Sequence, residues 1–161
     1  MTALPRIVVM GPSGSGKSSV GAALAVDLGV AFVDADDLHP EANVAKMSAG
    51  RPLTDEDRWP WLDVVGQTMS EAPGIVMACS ALTRAYRERI LTACPDVRFV
   101  ELVVRRGELE HRMATRAHFM PPSLLTSQLS TLEHLEEDEP GFRIDNVGGI
   151  LDVAARARAH L

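Results

Sequence analysis

The segment IVVMGPSGSGKSSV, residues 7–20, runs from four apolar residues into glycines, a lysine and two serines. Gly11, Gly16, Lys17 and Ser18 satisfy the spacing G-x-x-x-x-G-K-S/T in full. That pattern does phosphate chemistry. Its glycines let the backbone curl until several N–H groups aim at one anion, and the helix that follows adds the positive end of its dipole. Gly11, Ser13, Gly14, Ser15, Gly16, Lys17, Ser18 and Ser19 are therefore candidate contacts to ATP. Lys17 is expected to reach the β- and γ-phosphates and to be needed for transfer, and Ser18 to ligate Mg²⁺.

Further along, "DADDLHP" places Asp34 and Asp36 at the end of a second apolar run. The third such run ends "MACSAL", with no acid to hold a metal ion. The pair at 34 and 36 fits a kinase for a small metabolite: Asp34 organises Mg²⁺ through water, and Asp36 meets the acceptor hydroxyl and takes its proton. A guanine-reading N-K-x-D is missing, which argues against a GTPase switch, and 161 residues are too few for an ATPase motor.

These residues need elements to position them. Ile7–Met10 lacks polar alternation and reads as a strand buried on both faces, as in a parallel sheet. Ser18 onward is helical, with Val20, Leu24 and Leu28 on one face and Gly29 as a stop. Strands are expected over 30–33, 75–78, 99–104 and 142–145. Thr54 caps a helix with three acids in its first turn, and Pro60 should kink that helix or delay its start. Helices are also expected over 40–49, after the third strand, over 108–116, around Leu125–Leu132 and over 150–161. Alternating strands and helices predict an α/β fold of three layers, with a central parallel sheet and helices on both faces, and small kinases of this fold carry a mobile lid. The chain is expected to be one P-loop kinase domain with the lid at about 112–123.

A net charge of -6 argues against nucleic acid as a partner. No apolar run is long enough to span a membrane. Cys79 and Cys94 lack CxxC spacing and read as buried, reduced thiols of a cytoplasmic protein.

The run "DADDLHPEANVAKMSAGRPLTDEDRWPWL" resembles small P-loop gluconokinases of bacteria, whose pattern is close to D-G-D-x-L-H-P-x-x-N-x-x-K-M-x-x-G-x-P-L-x-D-x-D-R-x-P-W-L. Asp34, Asp36, His39, Asn43, Lys46, Asp57, Arg58 and Trp61 are among the matching positions. "CSALTRAYRERIL" and "HFMPPSLLTSQLSTLE" are also similar, so the likeness runs from Ile7 to Gly141. Ala35 stands where the family has glycine, and Arg116-Ala117-His118-Phe119-Met120 is one residue shorter than the family's R-x-G-H-F-M.

The resemblance implies a fold like adenylate and shikimate kinases. It implies ATP-dependent phosphorylation of D-gluconate at its 6-hydroxyl, in a protein that is usually a cytoplasmic homodimer. Shikimate or another small-metabolite kinase is the nearest rival, and a nucleotide-binding module without catalysis is the rival from another class. An acidic sugar needs a cation, for which Arg58 is preferred over Lys46 because its planar fork binds two oxygens. Asp36, His39, Ser80, Arg87 and His118 are further candidate acceptor contacts, Ser80 because it follows a strand at the sheet's carboxyl edge. Arg112 and Arg116, four apart on one helical face, are expected to close over the nucleotide, with Arg116 neutralising charge in the transition state. Each has a plainer reading. Arg58 pairs with Asp55 or Asp57, Lys46 is solvated, His39 is a cap, Asp36 is a turn residue, and Trp61 is core or a wall of the site.

Overall fold

The computed structural model describes residues 3–115 and 122–161. Its strands are β1 (Arg6–Met10), β2 (Ala31–Asp34), β3 (Ile75–Ala78), β4 (Arg98–Val103) and β5 (Gly141–Asp145). The helices are α1 (Lys17–Leu28), α2 (Glu41–Ser48), α3 (Asp55–Glu71), α4 (Arg84–Ala93), α5 (Arg106–Thr115), α6 (Pro122–Thr131) and α7 (Ile150–Ala159). A 3₁₀ turn over Ala35–Leu38 follows β2.

All strand pairs are parallel, in the order β2-β3-β1-β4-β5. β1 sits at the centre, and its alternating side chains feed two different cores. Val8 and Met10 join Trp61, Leu62, Val65 and Met69 of α3 and Ile90 of α4 on one face. Ile7 and Val9 join Val20 and Leu24 of α1 and Val153 of α7 on the other. Helices on both faces explain why β1 and β3 read as unbroken apolar runs. A third cluster of Met47, Leu109 and Leu125 ties α2 to α5 and α6.

One local expectation needs correction. Pro60 does not delay its helix, because α3 already begins at Asp55. A capping box sets that start: the Thr54 side chain accepts from the Asp57 N–H, and the Asp57 carboxylate accepts from the Thr54 N–H. Together they outweigh the one backbone hydrogen bond that a proline at the sixth helical position removes. Ala35, in place of the family's glycine, lies in the 3₁₀ turn without a positive φ, which among the described non-glycine residues only Ala81 has.

Candidate active site

The carboxyl ends of β1, β2 and β3 open onto one cleft, where ligands bind in sheets of this kind. The turn after β1 supplies its floor. Gly16 has φ 90°, and a Cβ there would come within 2.5 Å of the Asn146 side-chain nitrogen. Only glycine fits that conformation and that space. α1 then starts at Lys17 with no side-chain cap, so its first N–H groups keep their full capacity for an anion. Ser15 Oγ is buried and has no hydrogen-bond partner among the described residues. An uncapped helix start, an orphaned hydroxyl and the nearly buried Lys17 together make a cradle that fits a phosphate.

Ser18 and Asp34 meet at the edge of this cradle. Ser18 Oγ donates to Asp34 Oδ2 at 2.6 Å. The other carboxylate oxygen of Asp34 accepts from the Asp36 N–H at 3.0 Å and so caps the 3₁₀ turn. One aspartate thus joins a loop hydroxyl to the segment that carries Asp36. Hydroxyl and carboxylate oxygens are hard donors of the kind Mg²⁺ takes, so these residues fit the ion expected with ATP.

Asp36, His39, Arg58 and Ser80 line one cleft together with Ser13 and Lys17. Residues far apart in the chain are therefore gathered where phosphate and acceptor must meet. Arg58 is held from behind. Its Nη1 donates to Leu53 O at 2.7 Å and to Tyr86 Oη at 3.0 Å, and the guanidinium lies over the Tyr86 ring. Its Nε and Nη2 make no hydrogen bond to described residues, and its side chain is 14% exposed. Tyr86 in turn donates to Asp55 Oδ1 at 2.5 Å. Burial, helped by that carboxylate, pushes the Tyr86 hydroxyl up to about 12, so it stays a donor.

His39 stacks on Trp61 with ring centroids 4.1 Å apart and an interplanar angle of 16°. Burial, and then the charge of Arg58, lowers its pKa to about 4, so the ring is neutral at ordinary pH. Trp61 is thus the wall of the site on which His39 rests.

Two of the expected acceptor contacts are placed elsewhere. Lys46 does not line the cleft. Its Nζ lies 2.6 Å from Asp57 Oδ2, the carboxylate of the capping box. That hydrogen bond is the main reason the Asp57 carboxyl is held down at about 2. Arg87 is fully buried, and its guanidinium is spent on Glu139 and on the carbonyls of Ala81, Glu133 and His134. A side chain with every donor so occupied has none left for a substrate.

On the nucleotide side, Arg112 Nη1 donates to Gly14 O at 2.8 Å and Nε to Glu108 Oε1 at 3.1 Å. Arg112 lines a second cleft of about 620 Å³ with Val103, Asp145, Asn146 and Val147. Asn146 Nδ2 donates to Ser15 O at 2.6 Å, fastening the loop after β5 to the phosphate loop. Arg116, His118 and half of the lid expected at 112–123, residues 116–121, lie outside the described residues.

Sequence reasoning missed Gln128, whose Oε1 accepts from the Ser13 N–H at 2.7 Å. It sits in "TSQLS", within a stretch similar to the family but with no role read for it there, and its place on α6 brings it to the cleft. Asn43 stood among the positions that match the family pattern but was given no role, because an amide announces nothing until its partners are known. The two cysteines are free and buried, and burial pushes the Cys79 thiol up to about 12.

Comparison with known proteins agrees with this geometry. An AAA domain family model matches residues 7–135. A gluconokinase of Gluconobacter oxydans (strain 621H) is 49% identical over 146 residues, covering 87% of this chain and 82% of that protein. The crystal structure of a gluconokinase from Sinorhizobium meliloti 1021 superposes with a TM-score of 0.90 at 43% identity, covering 99% of this chain and 92% of the other. Shikimate kinase from Acinetobacter baumannii, solved with shikimate, shares the fold at a TM-score of 0.65 and 20% identity, over 95% of this chain and 90% of its own.

Proposed function

The chain belongs to the gluconokinase family, and we propose that it transfers the γ-phosphoryl group of ATP to the 6-hydroxyl of D-gluconate, giving 6-phospho-D-gluconate. The observation that carries the reading is one cleft lined by Lys17 of the phosphate loop, by Asp36 and by Arg58. A phosphate ligand, a hydroxyl acceptor and a cation for an acid are what this reaction requires.

The roles follow from the chemistry. Phosphoryl transfer needs alignment and charge neutralisation more than covalent help. Lys17 neutralises the β/γ-phosphate oxygens as charge moves onto the leaving group. Asp36 accepts the hydrogen of the attacking hydroxyl. Arg58 pairs with the gluconate carboxylate through Nε and Nη2, which make no hydrogen bond to the described residues, while Leu53 and Tyr86 hold the fork in place. Ser80 adds a hydroxyl at the same wall. Ser18 and Asp34 would hold Mg²⁺, Asp34 through water; the ion neutralises phosphate charge when bound. Arg112 contacts the nucleotide beside the phosphate loop.

Among the described residues no helix is long and apolar enough to cross a membrane. Two buried free thiols support a reducing compartment, and we place the protein in the cytoplasm as a homodimer of single-domain chains.

The test is release of ADP from ATP and Mg²⁺ with gluconate, with shikimate or with no acceptor. Release that depends on gluconate is expected. Release with shikimate alone would overturn the substrate, and release with neither would leave a nucleotide-binding module.

A further inference from the structure

The acceptor side holds a hydrogen-bond chain that none of these roles uses. Asn43 of α2 is 2% exposed. Its amide nitrogen lies 2.9 Å from Asp57 O and 3.2 Å from His39 Nδ1. A backbone carbonyl only accepts, so the group facing Asp57 must be the NH₂ and not the amide oxygen. The second hydrogen of that NH₂ then goes to His39 Nδ1, which must accept it. A neutral imidazole carries one proton, and with Nδ1 accepting, that proton is on Nε2. Trp61 fixes the ring plane by stacking, and is itself anchored by its Nε1 to Ala35 O at 2.7 Å. His39 Nε2 lies 4.0 Å from Asp36 Oδ1, too far for the two to bond directly.

We propose that Asn43 is a positioning residue: it holds His39 as the Nε2–H tautomer, so that a donor on His39 and an acceptor on Asp36 stand side by side and together read one hydroxyl of the sugar. A hydroxyl is donor and acceptor at once. Its oxygen takes the His39 Nε2–H, and its hydrogen goes to the Asp36 carboxylate. A carbonyl has no hydrogen for the Asp36 carboxylate, and an ammonium has no lone pair for the Nε2–H of His39, whose side chain is nearly buried and is costly to leave unmatched. His39 and Asp36 then belong to one device whose polarity is set from α2, outside the cleft.

The proposal rests on the gluconate reading for the identity of the hydroxyl, whereas the ring tautomer does not. The experiment therefore has two arms on the full chain. In the first, ¹⁵N NMR at neutral pH and without substrate reads the protonated nitrogen of His39 in the wild type and in Asn43→Ala. Wild type should be Nε2–H and the variant a mixture. In the second, steady-state kinetics compare Asn43→Ala, His39→Gln and His39→Asn. Asn43→Ala should raise the KM for gluconate about tenfold, the scale of one lost hydrogen bond, and leave that for ATP unchanged. The glutamine amide falls near the place of Nε2 and should keep most of the affinity. The asparagine amide falls near Nδ1 and should not. An Nδ1–H ring in the wild type, unaltered kinetics in Asn43→Ala, or equal behaviour of the two His39 variants would overturn the proposal. Should Asn43→Ala fail to fold, the wild-type spectrum and the His39 pair decide. A wild type inactive on gluconate overturns the substrate reading, and the spectrum still judges Asn43.

Discussion

Arg87 Nε lies 2.6 Å from Glu139 Oε1, and the two side chains are 0% and 4% exposed. This buried pair joins α4 to the turn before β5. The same guanidinium donates to Ala81 O at 2.8 Å, in the loop that carries Ser80. Ala81 has φ 43°, a left-handed conformation that costs a non-glycine residue energy and persists only where the surroundings impose it. The Arg87 hydrogen bond is one of the contacts that hold this loop, together with the Glu133 N–H donating to Leu82 O. The first prediction follows: Arg87→Ala strands a buried carboxylate and should destabilise the protein by about 3–5 kcal/mol. Thermal or denaturant unfolding measures this. A raised KM for gluconate with unchanged stability would return Arg87 to the substrate.

Arg58 should behave in the opposite way. Losing a charged hydrogen bond costs about 1.5–3 kcal/mol, so Arg58→Ala should weaken gluconate binding about 10- to 150-fold. The KM for ATP should hardly move. Arg58→Lys should recover only part of the loss, because an ammonium cannot match two oxygens in one plane. Steady-state kinetics with each substrate varied in turn provide the check. Intact gluconate binding in a folded Arg58→Ala protein would place the carboxylate elsewhere.

Lys17→Ala should lower turnover by orders of magnitude and leave unfolding close to wild type, because Lys17 faces a cleft rather than a packed core. Ser18→Ala removes the hydroxyl that donates to Asp34, and should raise the Mg²⁺ concentration needed for half-maximal rate. A magnesium titration at saturating ATP separates these two effects. A Ser18→Ala curve that overlays wild type would remove Ser18 from the metal site.

The pH dependence of stability has a definite sign. The His39 pKa is depressed from 6.5 to about 4 in the folded protein. As pH falls below 6.5 the unfolded chain takes up this proton first, so stability present above 6.5 is lost down to about pH 4. Asp57 is also depressed, from 3.8 to about 2, so its contribution is present above 3.8 and lost as pH falls through about 2. His39→Gln should flatten the loss between pH 6.5 and 4, and Asp57→Asn should flatten the acid limb below it. Chemical denaturation at a series of pH values, with an NMR titration of His39, measures both. A His39 midpoint near 6.5 would contradict the first.

Much of the site was legible because its signals are local. A phosphate loop is a backbone shape that needs glycines at fixed spacing, and the shape can be read as the pattern Gly11…Gly16-Lys17-Ser18. The Thr54 cap and the acids of the first turn were equally visible, since a cap concerns only its own neighbours. Lys46 and Arg87 were misread for a common reason. A cation carries the same chemistry whether it meets a substrate or a protein carboxylate, and nothing near Arg87 in the chain points to Glu139, fifty-two residues away.

The sequence by itself determined the strand–helix alternation, the phosphate loop and the gathering of acids after the second strand. These depend on hydrophobic period and short-range backbone geometry, which neighbouring residues specify. Only the tertiary structure decided which side chains share the cleft. Long-range packing brings α2, α3 and the loop after β3 together, and a polar group buried there must take whichever partner the fold delivers. Arg58 was delivered to Leu53, Tyr86 and the cleft, Lys46 to Asp57, Arg87 to Glu139, and Asn43 to the ring of His39.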